Sequence, residues 1–288
     1  MILNLSNEKL SVKIDTYGAE LVSAVGTDGH EYIWTGEAWR GHAPVLFPIC
    51  GRILNGKYTA GGKEYEMLSH GFAKRSEFAV DEATERRISL SLSSNDATRA
   101  IYPFDFKLCA DFTLDGDRLT VAFRVKNIGN TVLPYMLGWH PGFVLGGDGD
   151  IGGFTLELGD CAPVMHPLAN GPFLSDIELP FPLDNCKYAL CEKQIYDNDT
   201  LILTGTGGRC LLSGEGDGHT VELTYTDNLP YFCIWKAPDS NARFICLEPW
   251  SDVPSDGITP ENFDTRKMSR LGAGDSAKYV YTVKFGNK

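Results

Sequence analysis

Along most of the chain, apolar and polar positions alternate one by one. In "DRLTVAFRVKN", Leu119, Val121, Phe123 and Val125 are interleaved with Thr120, Ala122, Arg124 and Lys126. That is the period-two rhythm of a strand with one face in a core. The same rhythm, rich in β-branched and aromatic residues, recurs in "LSVKID", "RRISLSLS", "FKLCADFTL", "TVELTYT", "YFCIWKA", "RFICLEP" and "KYVYTVKF". Clusters of Gly, Asn, Asp or Pro separate these runs, as turns between strands require. No long stretch carries a 3.6-residue period, so the pattern predicts an all-β protein built as a large antiparallel sandwich, not an α/β fold. Two short helices are expected, near "EAWRGHAPVLF" (37–47) and "PENFDTRKMSRL" (260–271).

The 288 residues, 43% of them hydrophobic, suffice for one large core, and β architectures of this length are commonly single domains. No linker, composition shift or fixed-period repeat divides the chain, so one domain spanning 1–288 is expected. The loop-rich stretch "GGDGDIGG" (146–153) reads as a surface turn. Its Asp148 and Asp150 lack the twelve-residue ligand spacing of a calcium loop. A formal charge of −12 with no block of Lys or Arg argues against nucleic acid or an anionic membrane as the main partner. The N-terminus "MILNLSNEKLSVKIDTYG" places Asn, Glu and Lys where a signal peptide needs an unbroken apolar run, so a cytoplasmic protein is expected. The eight cysteines form no CxxC pair and lie mostly in apolar segments, which reads as reduced core thiols.

The candidate chemistry sits where strands break. "GWHPGF" places His140 between a tryptophan and a Pro-Gly pair that ends a strand, where a side chain can face a cavity. "ICLEPW" places Glu248 after an apolar run and before a proline that is expected to end the ladder. "FPICGRILNGKY" carries Arg52, and "SHGFAKRSEF" carries His70 and Lys74. Taken singly, each has an ordinary structural reading: a hydrogen-bonded core histidine, a solvated strand terminus, a surface ion pair.

In combination and in order, these motifs resemble the aldose 1-epimerase, or mutarotase, superfamily. "VKNIGNTVLPYMLGWHPGF" is similar to the strand, turn and strand leading to the family's catalytic histidine. "LFPICGRILNGKY", "SHGFAKRSEF", "ICLEPW" and the turn "LGAGDS" are similar to its other signatures. The resemblance implies a large antiparallel β-supersandwich with few short helices. It implies Glu248 as general base and His140 as general acid, with Arg52, His70 and Lys74 binding the sugar and no metal or other cofactor. Trp139 stands where many relatives have a small residue, and Lys74 where an arginine is usual. The "HGFA" form is closer to a bacterial branch and to the hexose-6-phosphate mutarotases than to the galactose enzymes. The implied partner is a small sugar, and the implied assembly a monomer or homodimer.

Three other readings compete. A non-catalytic carbohydrate-binding protein would stack sugars on Trp139, Trp235 and Trp250. A glycoside hydrolase needs two carboxylates across the scissile bond, and the motifs offer one. A metal centre of His70, His140 and Glu248 lacks local HxxxH or HxD spacing. On substrate charge, Lys74, Arg75 and Arg52 are candidates for a sugar phosphate. Lys lacks the bidentate fork that suits phosphate, however, and the net charge repels anions, which favours a neutral aldohexose.

Overall fold

A computed structural model describes residues 1–147, 151–169, 171–238 and 242–287. Asp148 and Asp150 of the glycine-rich loop lie outside them. The alternating segments form the expected strands. Leu119, Val121, Phe123 and Val125 of Arg118–Asn127 are fully buried, while Arg124 and Lys126 are exposed. Each such burial is worth about 1.5–3 kcal/mol.

Arg118–Asn127 lies near the centre of a nine-stranded antiparallel sheet, between Phe106–Asp115 and Ser276–Asn287. A second sheet of eight strands runs through Leu201–Thr204, Tyr231–Trp235, Phe244–Trp250, Gly138–Trp139 and Val45–Leu46, with Gly142–Val144 also pairing on Phe244–Trp250. The two sheets face each other across aromatic side chains. Trp139 meets Tyr281 edge to face with centroids 5.4 Å apart, and beside them Tyr135, on the short strand Leu133–Tyr135, shares a hydroxyl hydrogen bond of 2.8 Å with Tyr279. Among the described residues no helix is long and apolar enough to cross a membrane.

The helices are not where the sequence pattern put them. Segment 37–47 is turns and a two-residue strand, because Glu20 takes the backbone N–H groups of His42 and Ala43 and Val45–Leu46 pairs with Gly138–Trp139. Segment 260–271 is divided between Glu261–Asn262, which pairs beside Tyr58, and Ser269–Leu271, which pairs with Leu133–Tyr135. The α-helices among the described residues are Asp96–Ile101 and Glu192–Asp197. The first is nucleated by a reciprocal cap in which Asn95 and Thr98 each accept the other's backbone N–H.

Two further expectations are corrected. Cys161 and Cys186 are joined in a disulfide, because Phe154–Leu158 pairs with Lys187–Ala189 and the Leu158 N–H reaches the Cys186 carbonyl at 2.9 Å. Of the other six cysteines, four are buried thiols, Cys109 is half-buried and Cys191 is exposed. Nor does Pro249 end its ladder: Phe244–Trp250 continues through it, with Pro249 opposite Phe232. On the other edge the N–H groups of Leu247 and Ser251 go to Pro141 and Leu137. The ring nitrogen of Pro249 therefore falls at the gap between Gly138–Trp139 and Gly142–Val144, where no donor is needed.

Candidate active site

The gap that accommodates Pro249 also frees His140. Its backbone N–H is held by the Pro44 carbonyl at 3.1 Å, and its ring turns into a cavity of about 830 Å³. Glu248 projects into the same cavity from the neighbouring strand, and His140 Nε2 lies 3.2 Å from Glu248 Oε2. The contact is out of line for a hydrogen bond. Both Glu248 oxygens and His140 Nδ1 are buried without a hydrogen-bond partner among the described residues. Trp250 Nε1 lies beside the carboxyl without meeting hydrogen-bond geometry.

Burial dominates the titration of this pair. It holds the Glu248 carboxyl well above the usual carboxylate range, against the opposing pull of the Lys74 charge and the Trp250 indole. It also pushes His140 down to about 3, and the Lys74 charge pushes the same way. Desolvation thus favours the uncharged form of both groups.

The other residues named from the sequence line the same cavity. His70 has a left-handed backbone, φ 62°, followed by Gly71 at φ 69°. A Cβ on Gly71 would stand 2.1 Å from the Phe47 carbonyl oxygen, so only glycine lets the two chains meet there. His70 Nδ1 accepts the Gly51 N–H at 3.1 Å, and burial holds the ring well below its ordinary pKa, helped by the nearby charges of Lys74 and Arg52. The neutral ring therefore presents Nε2–H as a donor. Lys74 sits in a single helical turn, Ala73–Arg75, and burial lowers its amine to about 8. Arg52 is exposed. Arg75 lines the cavity too and donates to the Gly71 carbonyl.

The stacking tryptophans need one correction. Trp235 and Trp250 line the cavity, but Trp139 is fully buried in the core and donates its indole N–H to the Ala43 carbonyl. Its place is taken by Trp39, stacked on His140 with centroids 5.0 Å apart. Sequence reasoning also missed His42 and Glu20. Burial raises the Glu20 carboxyl, against the backbone N–H groups of His42 and Ala43 that one of its oxygens accepts. The available signal was the density of aromatic, histidine and glycine residues in "EAWRGH". His70 does not join the pair as a third ligand: the donor atoms that come within 4.8 Å of one another are those of His140, Cys246 and Glu248.

Comparison with known proteins shows the family and agrees with the fold. The sequence model of the family described as aldose 1-epimerase matches residues 1–261. Protein LacX, plasmid, of Lactococcus lactis subsp. lactis is 29% identical over 301 residues, covering 98% of this chain and 99% of that protein. The crystal structure of a galactose mutarotase-like protein from Lactobacillus casei ATCC 334 superposes with a TM-score of 0.93 at 27% identity, over 99% of this chain and 100% of the other. A galactose mutarotase related enzyme from Lactobacillus acidophilus gives 0.92 at 26% identity, over 100% of both chains.

Proposed function

The chain belongs to the aldose 1-epimerase family, and on that premise we propose that it is a mutarotase interconverting the α and β anomers of a neutral aldohexose, with His140 and Glu248 as its proton-transfer pair. The observation that carries this reading is the 3.2 Å contact between an imidazole and a carboxyl that both face one cavity. Anomer exchange needs one proton removed from the C1 hydroxyl and one delivered to the ring oxygen, two oxygens on the same carbon. A pair of groups this close, holding a single proton between them, can serve both.

Burial places that proton on Glu248 in the resting pair. The carboxylic acid then protonates the ring oxygen while neutral His140 accepts the C1 hydroxyl proton. Opening leaves a carboxylate beside an imidazolium, whose mutual attraction in a low-dielectric cavity offsets part of the cost of separating charge. Rotation about C1–C2 presents the other carbonyl face. Closure returns both protons with Glu248 now the base and His140 the acid. The roles inferred from the family motifs are thus those of the second half of the cycle. The chemistry itself calls for no metal, nucleotide or covalent intermediate. His70, Glu20 and His42 are placed to hydrogen-bond the hydroxyls, and Trp39, Trp235 and Trp250 to pack on C–H faces.

A hexose 6-phosphate is the second reading. It is favoured by Lys74, which has no ion-pair or hydrogen-bond partner among the described residues, together with Arg52 and Arg75 on the cavity wall. Against it, Asp15, Glu20 and Asp199 line the same wall. The test is an NMR exchange screen of fresh α-anomers, phosphorylated sugars included, on the wild type and on His140→Asn. Exchange of a neutral hexose that the variant loses by about 10²- to 10⁴-fold is expected. Binding without exchange in the wild type would refute the enzyme reading in favour of a sugar-binding protein.

A further inference from the structure

Two residues apart on one strand, Cys246 and Glu248 project from the same face of Phe244–Trp250. The pairing of Gly142 with Cys246 brings His140, two residues before Gly142, against that face. One donor atom from each of His140, Cys246 and Glu248 lies within 4.8 Å of the other two, and all three residues are buried. From this geometry we propose that these three side chains form a binding site for a soft divalent cation, with zinc as the occupant, and that the bound ion excludes the sugar.

Zinc takes thiolate at about 2.3 Å and imidazole or carboxylate at about 2.0–2.2 Å, so tetrahedral donors stand roughly 3.3–3.6 Å apart. His140 and Glu248 are already close to that spacing, at 3.2 Å. The Cys246 sulfur, within 4.8 Å of the other two donors, has to move inward by at most about 1.5 Å on the same geometry. The second observation is independent of spacing. Both Glu248 oxygens are buried with no hydrogen-bond partner among the described residues, so ligation breaks no existing bond of the carboxylate and satisfies atoms that burial otherwise penalises. His140 and Glu248 both face the cavity, which leaves the fourth position open to a water molecule. The mixed sulfur, nitrogen and oxygen donor set selects zinc over magnesium or calcium, which take oxygen ligands. On binding, the Cys246 S–H proton and the one proton shared by His140 and Glu248 both leave to solvent as the bonds to zinc form, with no change of oxidation state.

The exclusion of sugar rests on the mutarotase reading, because the ion engages both groups assigned to proton transfer. The binding itself does not. Cys246 has no part in the proposed proton transfers, which separates the two claims.

The experiment titrates metal-free protein with zinc against a chromogenic chelator and, in parallel, with cobalt, following thiolate-to-cobalt charge-transfer absorption. Wild type and Cys191→Ser, which removes the exposed thiol, are expected to bind one equivalent and show the charge-transfer band. Cys246→Ser is expected to lose the band and to bind zinc at least about 10- to 100-fold more weakly, since even an outer-shell partner contributes that much. Its metal-free anomer exchange should match the wild type, and zinc should inhibit the wild type competitively with sugar. Absence of a bound equivalent, or a band that survives in Cys246→Ser, would overturn the site. Binding with the thiolate signature but without inhibition would overturn the exclusion. If the protein exchanges no anomers at all, the titration and the spectrum still decide the site.

Discussion

Removing the Glu248 carboxyl should separate stability from activity. The carboxyl is fully buried and both of its oxygens lack a hydrogen-bond partner among the described residues. An unsatisfied buried polar group costs about 1–3 kcal/mol. Glu248→Leu, of similar volume, should therefore raise the unfolding free energy by about that amount. At roughly 2–4 °C per kcal/mol for a domain of this size class, Tm should rise by about 2–12 °C. Glu248→Gln keeps the shape but brings an amide with the same unmet demand, so its stability should stay within about 0.5 kcal/mol of wild type. Both variants should lose about 10²- to 10⁴-fold in anomer exchange. Urea unfolding of the three proteins, followed by Trp fluorescence, gives the first comparison, and NMR exchange spectroscopy gives the second. If Glu248→Leu is destabilised by more than about 1 kcal/mol, the carboxyl has partners that offset its burial and the reasoning fails. If Glu248→Gln exchanges anomers at the wild-type rate, the carboxyl is not in the reaction.

Two further outcomes follow from the same cavity. The pH profile of kcat/KM should be a broad bell, because burial disfavours both the doubly protonated and the fully deprotonated pair. The acidic limb should lie well below the ordinary histidine range, toward the value of about 3 for His140, and the alkaline limb well above the ordinary carboxylate range. In Lys74→Met both limbs should move to higher pH, since the lysine charge lowers both groups. An acidic limb left at histidine's usual position would contradict the burial argument. In the second test, kcat/KM for glucose and galactose should exceed that for their 6-phosphates at low and high salt. A strong preference for the phosphate, lost in high salt and in Lys74→Ala, would move the protein to hexose-phosphate chemistry.

The strands were legible because each carries its own evidence. Leu119, Val121, Phe123 and Val125 announce a buried face without reference to any neighbour. The helices were not, since a six-residue helix depends on one cap, Asn95 with Thr98, and both misread segments are claimed by distant partners. The side chain of Glu20 takes the backbone donors of 42 and 43, and the strand at Leu133–Tyr135 takes Ser269–Leu271. The Cys161–Cys186 disulfide was invisible for the same reason. Its residues are 25 apart in sequence, and only the pairing of two remote strands brings them together.

His140 and Glu248 could be found in the sequence because each breaks a local rule. A histidine precedes a Pro-Gly break, and a lone carboxylate stands in the otherwise apolar run "FICLEPW", every residue of which is buried. Their protonation could not be read there. From residue type alone, a carboxylate near pKa 4.3 and a histidine near 6.5 give an ionised base and a poised acid. Burial reverses both tendencies, because desolvation belongs to the folded cavity and not to the residue. The total number of protons is unaffected by the reversal: carboxylic acid with imidazole and carboxylate with imidazolium hold one each. Residue type thus marks the candidate pair, burial in the fold biases where its proton rests, and the pH profile counts the proton without depending on which partner holds it.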